Sequence, residues 1–448
     1  MAVIAFAGIV KRVTVGKYKP GPSVRYAARI MAVSSRPDVT MTSAERTNQR
    51  NAVLAGFLGW TLDAFDYFVL TFVIEDVART FGRTRPDVAL TITLALAMRP
   101  VGAVIFGMLA DRFGRRLPLM LNVIFYAVIS VLSGLAPSYS VFLGLRMLFG
   151  VGMGGEWGVG ASLALEWTSP RLRGLVSGLL QEGYAAGNLL AALAFRTVYV
   201  QVHSLYPTSA WRVMFFLGGL PALLSLFIRA KVKEPEAWHE HRTDWLTYRR
   251  SILRHWPRFL YIVLLMSMMN FMSHGTQDLY PTFLQQQRKY TASDTANLTM
   301  ISAVGAIVGG LCFGYYSDRR GRRRSMITAA ICALLVVPLW IAAPNTLLIA
   351  LGGFLLQFFV QGAWGVIPAH INELSPGHLR GFFPGFAYQL GVLVASSITY
   401  AEALLGEHFT YAQSMGVLAA VVMVGVAVVT AAGPEAHGVT FRKAAQSP

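Results

Sequence analysis

Twelve predominantly apolar stretches divide this chain, and no other feature limits its possible folds as strongly. They run near residues 53–74, 88–110, 117–134, 140–165, 174–200 and 211–230, then 258–284, 296–316, 325–343, 346–369, 381–404 and 411–432. A helix needs about 20 apolar residues to cross the bilayer core. Inside hydrocarbon every backbone amide must find an internal partner, so stretches of this length are helices. The pattern predicts an all-α membrane protein with twelve transmembrane helices. Composition agrees, with 54% of the 448 residues hydrophobic and 14% charged, against about 25% charged in soluble proteins. An ordinary soluble enzyme and a disordered chain are both excluded.

A net charge of +17 would suggest nucleic-acid binding in a soluble chain, but its distribution points to topology instead. With both termini placed in the cytoplasm, 30 of the 39 Lys and Arg residues fall in cytoplasmic segments and 7 in outer ones. That asymmetry follows the positive-inside rule. The partner it implies is the lipid bilayer, not nucleic acid. Cys312 and Cys332 lie in apolar context and offer neither a disulfide framework nor a metal site. There is no phosphate-binding loop, nucleophile elbow or dinucleotide-binding pattern. Gly150, Gly152, Gly154 and Gly155 cluster inside an apolar span, where close helix packing accounts for them. The chain reads as a non-enzyme without a cofactor.

Residues 1–50 are basic and contain Pro20, Pro22 and Pro37. The apolar run at 2–10 is too short to span, and it precedes its positive charges, the reverse of a secretory signal. The segment reads as a disordered cytoplasmic tail, with Met41 as an alternative start. An internal repeat organises the rest. Residues 107–116 and 314–323 both fit G-x-x-x-D-R-x-G-R-R, 207 residues apart. Glu166, Pro170, Arg173 and Gly174 are echoed by Glu373, Pro376, Arg380 and Gly381, where Glu, Arg and Gly keep the same spacing. Two six-helix halves are expected at 51–230 and 258–432. They are joined by a cytoplasmic linker at 231–257 and followed by a cytoplasmic tail at 433–448.

A G-x-x-x-D-R-x-G-R-R loop between the second and third helices, repeated in the second half, resembles the hallmark of the major facilitator superfamily. That resemblance covers about residues 50–432. It implies two bundles related by an axis along the membrane normal, with substrate held between them. It also implies a monomer, and the short loops without an Asn-x-Ser/Thr-rich outer one point to a bacterial inner membrane. Asp111 and Asp318, with Arg112, Arg115, Arg116, Arg319, Arg322 and Arg323, stand at cytoplasmic helix ends. They read as a latch between the halves or as topological anchors. Glu166, Arg173, Glu373 and Arg380 read as further latch residues.

Ionisable groups inside spans are costly and mark function. The first helix carries Asp63 and Asp66, the second Arg99, the fourth Arg146 and Glu156, the fifth Glu182, and His370 closes the tenth. The seventh holds Asn270, Ser273, His274, Thr276, Gln277, Asp278 and Thr282. A shift of 207 sets Asp63 on Asn270, Asp66 on Ser273 and Glu182 on Gln389, so these groups are expected to face one another across the pseudo-axis. The seventh-helix spacing is similar to N-x-x-[ST]-H-x-[ST]-Q-D-x-x-x-T of lactate/pyruvate:proton permeases in the sialate:H+ symporter family. Asp63-Ala-Phe-Asp66 resembles a pattern of aromatic-acid:proton symporters, and Arg99-Pro-x-Gly102 one of metabolite:proton symporters.

These resemblances imply proton-coupled uptake of a small organic acid anion, lactate or pyruvate first, by alternating access. Sialic acid or aromatic acid symport is the alternative, and a non-transporting sensor on the same fold is the reading from another class. Arg99, Asn270, His274, Gln277 and Gln389 are candidate substrate ligands. A guanidinium keeps its charge when buried, and its fork matches a carboxylate. Asp278, four residues from His274, is the first candidate for the coupling proton, followed by Asp63, Asp66 and Glu182. Arg99 is equally suited to pairing structurally with a first-helix Asp.

Overall fold

The computed structural model describes residues 42–241, 244–396 and 409–441. Residues 1–41 of the expected N-terminal tail, the last residues of the C-terminal tail and the end of the eleventh span lie outside them. The described residues form twelve long helical segments: α1 Ser43–Thr80, α2 Arg85–Phe113, α3 Arg116–Gly134, α4 Tyr139–Trp167, α5 Arg173–Leu205 and α6 Ala210–Lys231, then α7 Trp245–Gln287, α8 Ala292–Arg320, α9 Arg322–Ala342, α10 Thr346–Leu374, α11 Phe383–Ala395 and α12 Tyr411–Ala432. Ten are long and apolar enough to cross a membrane. The other two are α4, with 29 residues, and α11, whose described part has 13.

Two expected boundaries move. The first helix begins at Ser43, inside the expected tail, because Thr42 and Glu45 cap each other reciprocally: the Glu45 amide donates to the Thr42 hydroxyl and the Thr42 amide to the Glu45 carboxylate. The expected linker is partly helical. It holds a short helix, Glu236–His241, and the first turns of α7, started by Asp244 accepting from the Thr247 amide at 2.6 Å. That bond holds the exposed Asp244 carboxyl below its usual range.

Helix starts divide into two kinds. On one face α2, α4, α8, α10 and α12 begin on a cap from their own sequence: Thr84, Ser138, Thr291, Asn345 and Thr410. On the opposite face, where the repeated loop motif lies, four helices start on acids from elsewhere in the chain. Glu234 accepts from the Arg115 amide and, at 3.1 Å, from the Arg116 amide below α3. Glu435 does the same for Arg322 and Arg323 below α9. Asp318 caps α5 and Asp111 caps α11, as described below.

From Thr47 onward the chain is one compact unit. Within each half the same helices meet: α2 packs on α4 as α8 packs on α10, α3 on α6 as α9 on α12. Between the halves α5 packs on α8 and α10, and α11 packs on α2 and α4. Small residues permit this approach. A Cβ on Gly107 would stand 2.8 Å from the Gly381 carbonyl, and in the repeat-related pair a Cβ on Gly174 would stand 2.3 Å from the Gly314 carbonyl. Two spans are discontinuous. α5 breaks at Glu182 and carries a π turn at Phe195–Tyr199, and α7 breaks after Asp278 and carries one at Phe283–Gln287. Such breaks free backbone groups beside a polar cavity.

Candidate functional site

The motif face holds a charge network built twice. Arg115 donates to Asp111 at 2.7 Å and to Glu166 at 3.0 Å. Arg322 donates to Asp318 at 2.8 Å and to both oxygens of Glu373, at 2.9 and 3.1 Å. All six side chains are buried. A buried carboxylate without a partner is expensive, and these bidentate pairs offset that cost. The glycine of each motif is obligatory: Gly114 and Gly321 have φ of 102° and 93°, and a Cβ at either would press on the carboxylate of Glu234 or Glu435.

Asp111 and Asp318 also reach the opposite bundle. Asp111 accepts from the Gly381 amide at 2.7 Å, the Phe382 amide at 3.1 Å and the Tyr248 hydroxyl at 3.1 Å. Asp318 accepts from the Gly174 and Leu175 amides at 2.7 and 3.0 Å. Each acid therefore caps the start of a helix belonging to the other half, which ties the bundles shut at this face. Arg173 adds a 3.0 Å pair to Glu373 across the seam, whereas Arg380 stands 4.0 Å from Glu166. Burial pushes Arg380 down to about 10, so it is still charged at neutral pH. The Phe441 ring fills the gap between them, with guanidinium carbons 3.6 Å (Arg173) and 3.8 Å (Arg380) from its centroid.

A second cluster lies deep in the N-terminal bundle. Asp63 and Asp66 of α1 and Arg99, Arg146 and Glu156 are all at most 4% exposed. Arg146 Nη1 lies 3.7 Å from Asp66 Oδ1, and Glu156 packs against Gly59. No hydrogen-bond partner meets either carboxylate oxygen of Asp63, Asp66 or Glu156, nor Nε and Nη2 of Arg99. Arg99 also faces the other bundle: its guanidinium carbon is 5.9 Å from the Trp60 ring and 5.7 Å from the Tyr388 ring of α11. Aromatic side chains from both halves meet there in one apolar cluster.

The α7 residues form a third, shallower set. His274 Nδ1 is 3.2 Å from Asp278 Oδ2, and both side chains are about half exposed, at 45% and 40%. Gln277 donates to Ser273 at 3.1 Å and to Gln357 at 3.1 Å. Asn270 spends its amide on the Met266 carbonyl.

Comparison with known proteins decides what such an arrangement belongs to. The sequence matches the Major Facilitator Superfamily over residues 56–399 and 279–446. The chain belongs to the Major Facilitator Superfamily. A probable 4-methylmuconolactone transporter of Cupriavidus pinatubonensis (strain JMP 134 / LMG 1197) is 32% identical to this facilitator over 375 residues, covering 82% of this chain and 86% of that one. The sialic acid transporter NanX of Escherichia coli (strain K12) is 30% identical over 349 residues, covering 77% and 84%. The fold is that of the proton:xylose symporter XylE bound to 6-bromo-6-deoxy-D-glucose, with a TM-score of 0.70 at 17% identity over 89% of this chain and 98% of that one. The protein is an integral membrane transporter of the facilitator fold, not an enzyme.

The facilitator's sequence candidates sort into these three sets. The expected latch residues Asp111, Arg115, Glu166, Arg173, Asp318, Arg322, Glu373 and Arg380 come together at the motif face. Arg116 and Arg323 do not join them. They close the ends of α6 and α12 by donating to the Arg229 carbonyl and, at 3.0 Å, to the Thr430 carbonyl. Arg319 lies over Tyr315 and Arg112 is exposed. Asp66 has Arg146 of its own half 3.7 Å away, and Asn270 bonds within its own helix. Glu182 stands at the α5 break against Gly310 of α8, and Gln389 is buried with no partner on either amide atom. Sequence reasoning missed Glu234, Glu435 and Phe441. The shared Pro-Glu-Ala runs at the ends of the two halves would have set Glu435 on Glu236 rather than on Glu234.

Proposed function

We propose that this facilitator imports a small organic acid anion together with a proton, and that Arg99 receives the carboxylate. One observation carries the reading: a buried guanidinium with two unpartnered nitrogens, lying between aromatic rings of the two bundles. A carboxylate satisfies those donors with the geometry of a fork. The two relatives named above are a probable 4-methylmuconolactone transporter and a sialic acid transporter, which supports an acidic substrate; lactate and pyruvate stay within that class.

The proton has its own logic. Asp63, Asp66 and Glu156 lie buried in one cluster with Arg99 and Arg146. A substrate carboxylate seated on Arg99 adds negative charge beside these acids, which favours a proton on one of them. Substrate and proton then favour each other's binding, which is the requirement for symport. Support for the coupling role thus moves from Asp278, half exposed and beside His274, to Asp63 and Glu156. By the positive-inside rule the motif face is cytoplasmic, so this conformer is closed toward the cytoplasm. Both termini then lie on that side of a bacterial inner membrane, around a monomer.

The test is anion affinity against pH, measured by calorimetry on the purified transporter with lactate, pyruvate and benzoate. Affinity for at least one acid is expected to rise as pH falls, to flatten with Glu156→Gln, and to drop at least tenfold with Arg99→Gln, the worth of one charge-assisted contact. Binding that survives Arg99→Gln unchanged would sink the assignment.

A further inference from the structure

We infer that three histidines form a pH-sensitive catch on the motif face, which parts the two halves as that side acidifies. They come from three elements. His241 ends the short linker helix, His255 lies in the first turns of α7, and His378 sits in the turn between α10 and α11. The Ser251 hydroxyl joins two of them, meeting His378 Nε2 on one side and His255 Nδ1, at 3.1 Å, on the other. His255 Nδ1 also faces the Ser251 carbonyl at 2.9 Å, so it donates there and the hydroxyl donates to His378 Nε2. His378 is neutral in that arrangement, and a proton on Nε2 opposes it. His241 packs on the same turn, so closely that a Cβ on Gly377 would stand 2.3 Å from its ring.

The seam between the halves runs through this cluster. His241 is held to the first half, because Ala237 packs with Ala164, Leu165 and Leu180, and the Trp238 ring donates to the Asp111 carbonyl at 2.9 Å. His255 and His378 belong to the second half. Three residues beyond His378, the Gly381 amide makes its 2.7 Å bond to Asp111, so charge on the cluster acts beside a cap that ties the bundles. Arg380 of the same turn is a further cation, and Arg258 of α7 reaches the Leu374 carbonyl, at 3.3 Å, just before it. α2, which also packs on the turn, brings Asp111. That carboxylate is already shared among Arg115, Tyr248 and the Gly381 and Phe382 amides. Burial, with His255, His241 and Arg380 alongside, holds the His378 imidazole below its usual range. The closed form therefore binds that proton more weakly than a parted cluster does. Acid favours the parted form, beginning as pH falls through the ordinary histidine range near about 6.5. Cations on His241 and His378 then repel across the seam. An importer of acid and proton, as proposed above, acidifies the cytoplasm, and a catch that holds it open to that side slows its return. The catch itself needs no substrate.

Spin labels at Leu172 and Arg320 on the full-length protein, with Cys312 and Cys332 replaced, read the separation of the halves without substrate. The ratio of open to closed populations is expected to rise about two- to fivefold between about pH 7.5 and 5.5, the worth of one screened charge pair. His378→Gln and His241→Gln should each flatten that rise, and His378→Lys should give the low-pH ratio at the higher pH. Glu156→Gln should keep the rise, which separates the catch from the deep cluster. A ratio that ignores pH in wild type, or a rise that survives both glutamine variants, overturns the inference. So does a rise that is lost in Glu156→Gln and kept in His378→Gln, which would assign it to the deep acids. None of these outcomes touches the carboxylate site on Arg99, which anion binding tests separately.

Discussion

Glu166 and Glu373 occupy repeat-related places, but only Glu373 joins the bundles firmly. It holds Arg322 of its own half and Arg173 of the other, whereas Arg380 stays 4.0 Å from Glu166. Removing one partner from a buried ion pair costs about 3–5 kcal/mol. Glu373→Gln should therefore lower the melting temperature and loosen the motif face, while Glu166→Gln lowers the melting temperature with less loosening. A pair of spin labels at Leu172 and Arg320, with Cys312 and Cys332 replaced, reads the loosening; equal broadening in both variants would contradict the asymmetry. Glu234 offers a test through pH. Burial raises its carboxyl above the usual 4.5, although the Arg115 and Arg116 amides pull the other way. The folded chain thus holds that proton more tightly than the unfolded one. Its contribution to stability is full below 4.5 and is lost as pH rises through the raised value. Glu234→Gln should remove that part of the decline in a melting series, and an unchanged slope would refute the assignment.

At the scale of the helix, the two kinds of N-terminus explain how much was legible. Thr84 and Asp87 form a capping box within four residues, so the start of α2 is written locally. The starts of α5 and α11 are not. Gly174 and Gly381 receive their caps from acids 144 and 270 residues away, where no local pattern reaches. The repeat showed that Asp111 and Asp318 play one role, but not that the role is to cap a helix of the other bundle. Glu234 and Glu435 escaped because they stand 201 residues apart, off the 207 register. The span count was readable from apolar length, since lipid leaves backbone polar groups no alternative. The deep cluster was readable as residues but not as a set. Asp66 turns toward Arg146 in its own bundle, a choice that depends on helix rotation. Asp318→Asn tests the remote cap: it should destabilise α5 by about 1 kcal/mol, seen as faster amide exchange at Gly174 and Leu175 than in wild type. Unchanged exchange would mean that Asp318 serves Arg322 alone.

For the whole molecule, the polar ties between bundles gather at the motif face, and Phe441 lies under them between two guanidinium groups. A buried ring in that position contributes about 2 kcal/mol through its cation contacts. Phe441→Ala should broaden the Leu172–Arg320 label distance toward longer values, and an unchanged distribution would show that the charge network suffices without the ring. Closure at one face, with a buried guanidinium between the bundles that keeps two nitrogens unpartnered, suits alternating access about a site between bundles that rock. Uptake of labelled organic acid into proteoliposomes under an inward proton gradient tests that account most directly. It predicts accumulation above equilibrium that a protonophore collapses and Arg99→Gln abolishes. Accumulation that ignores the gradient, or persists without Arg99, would contradict it.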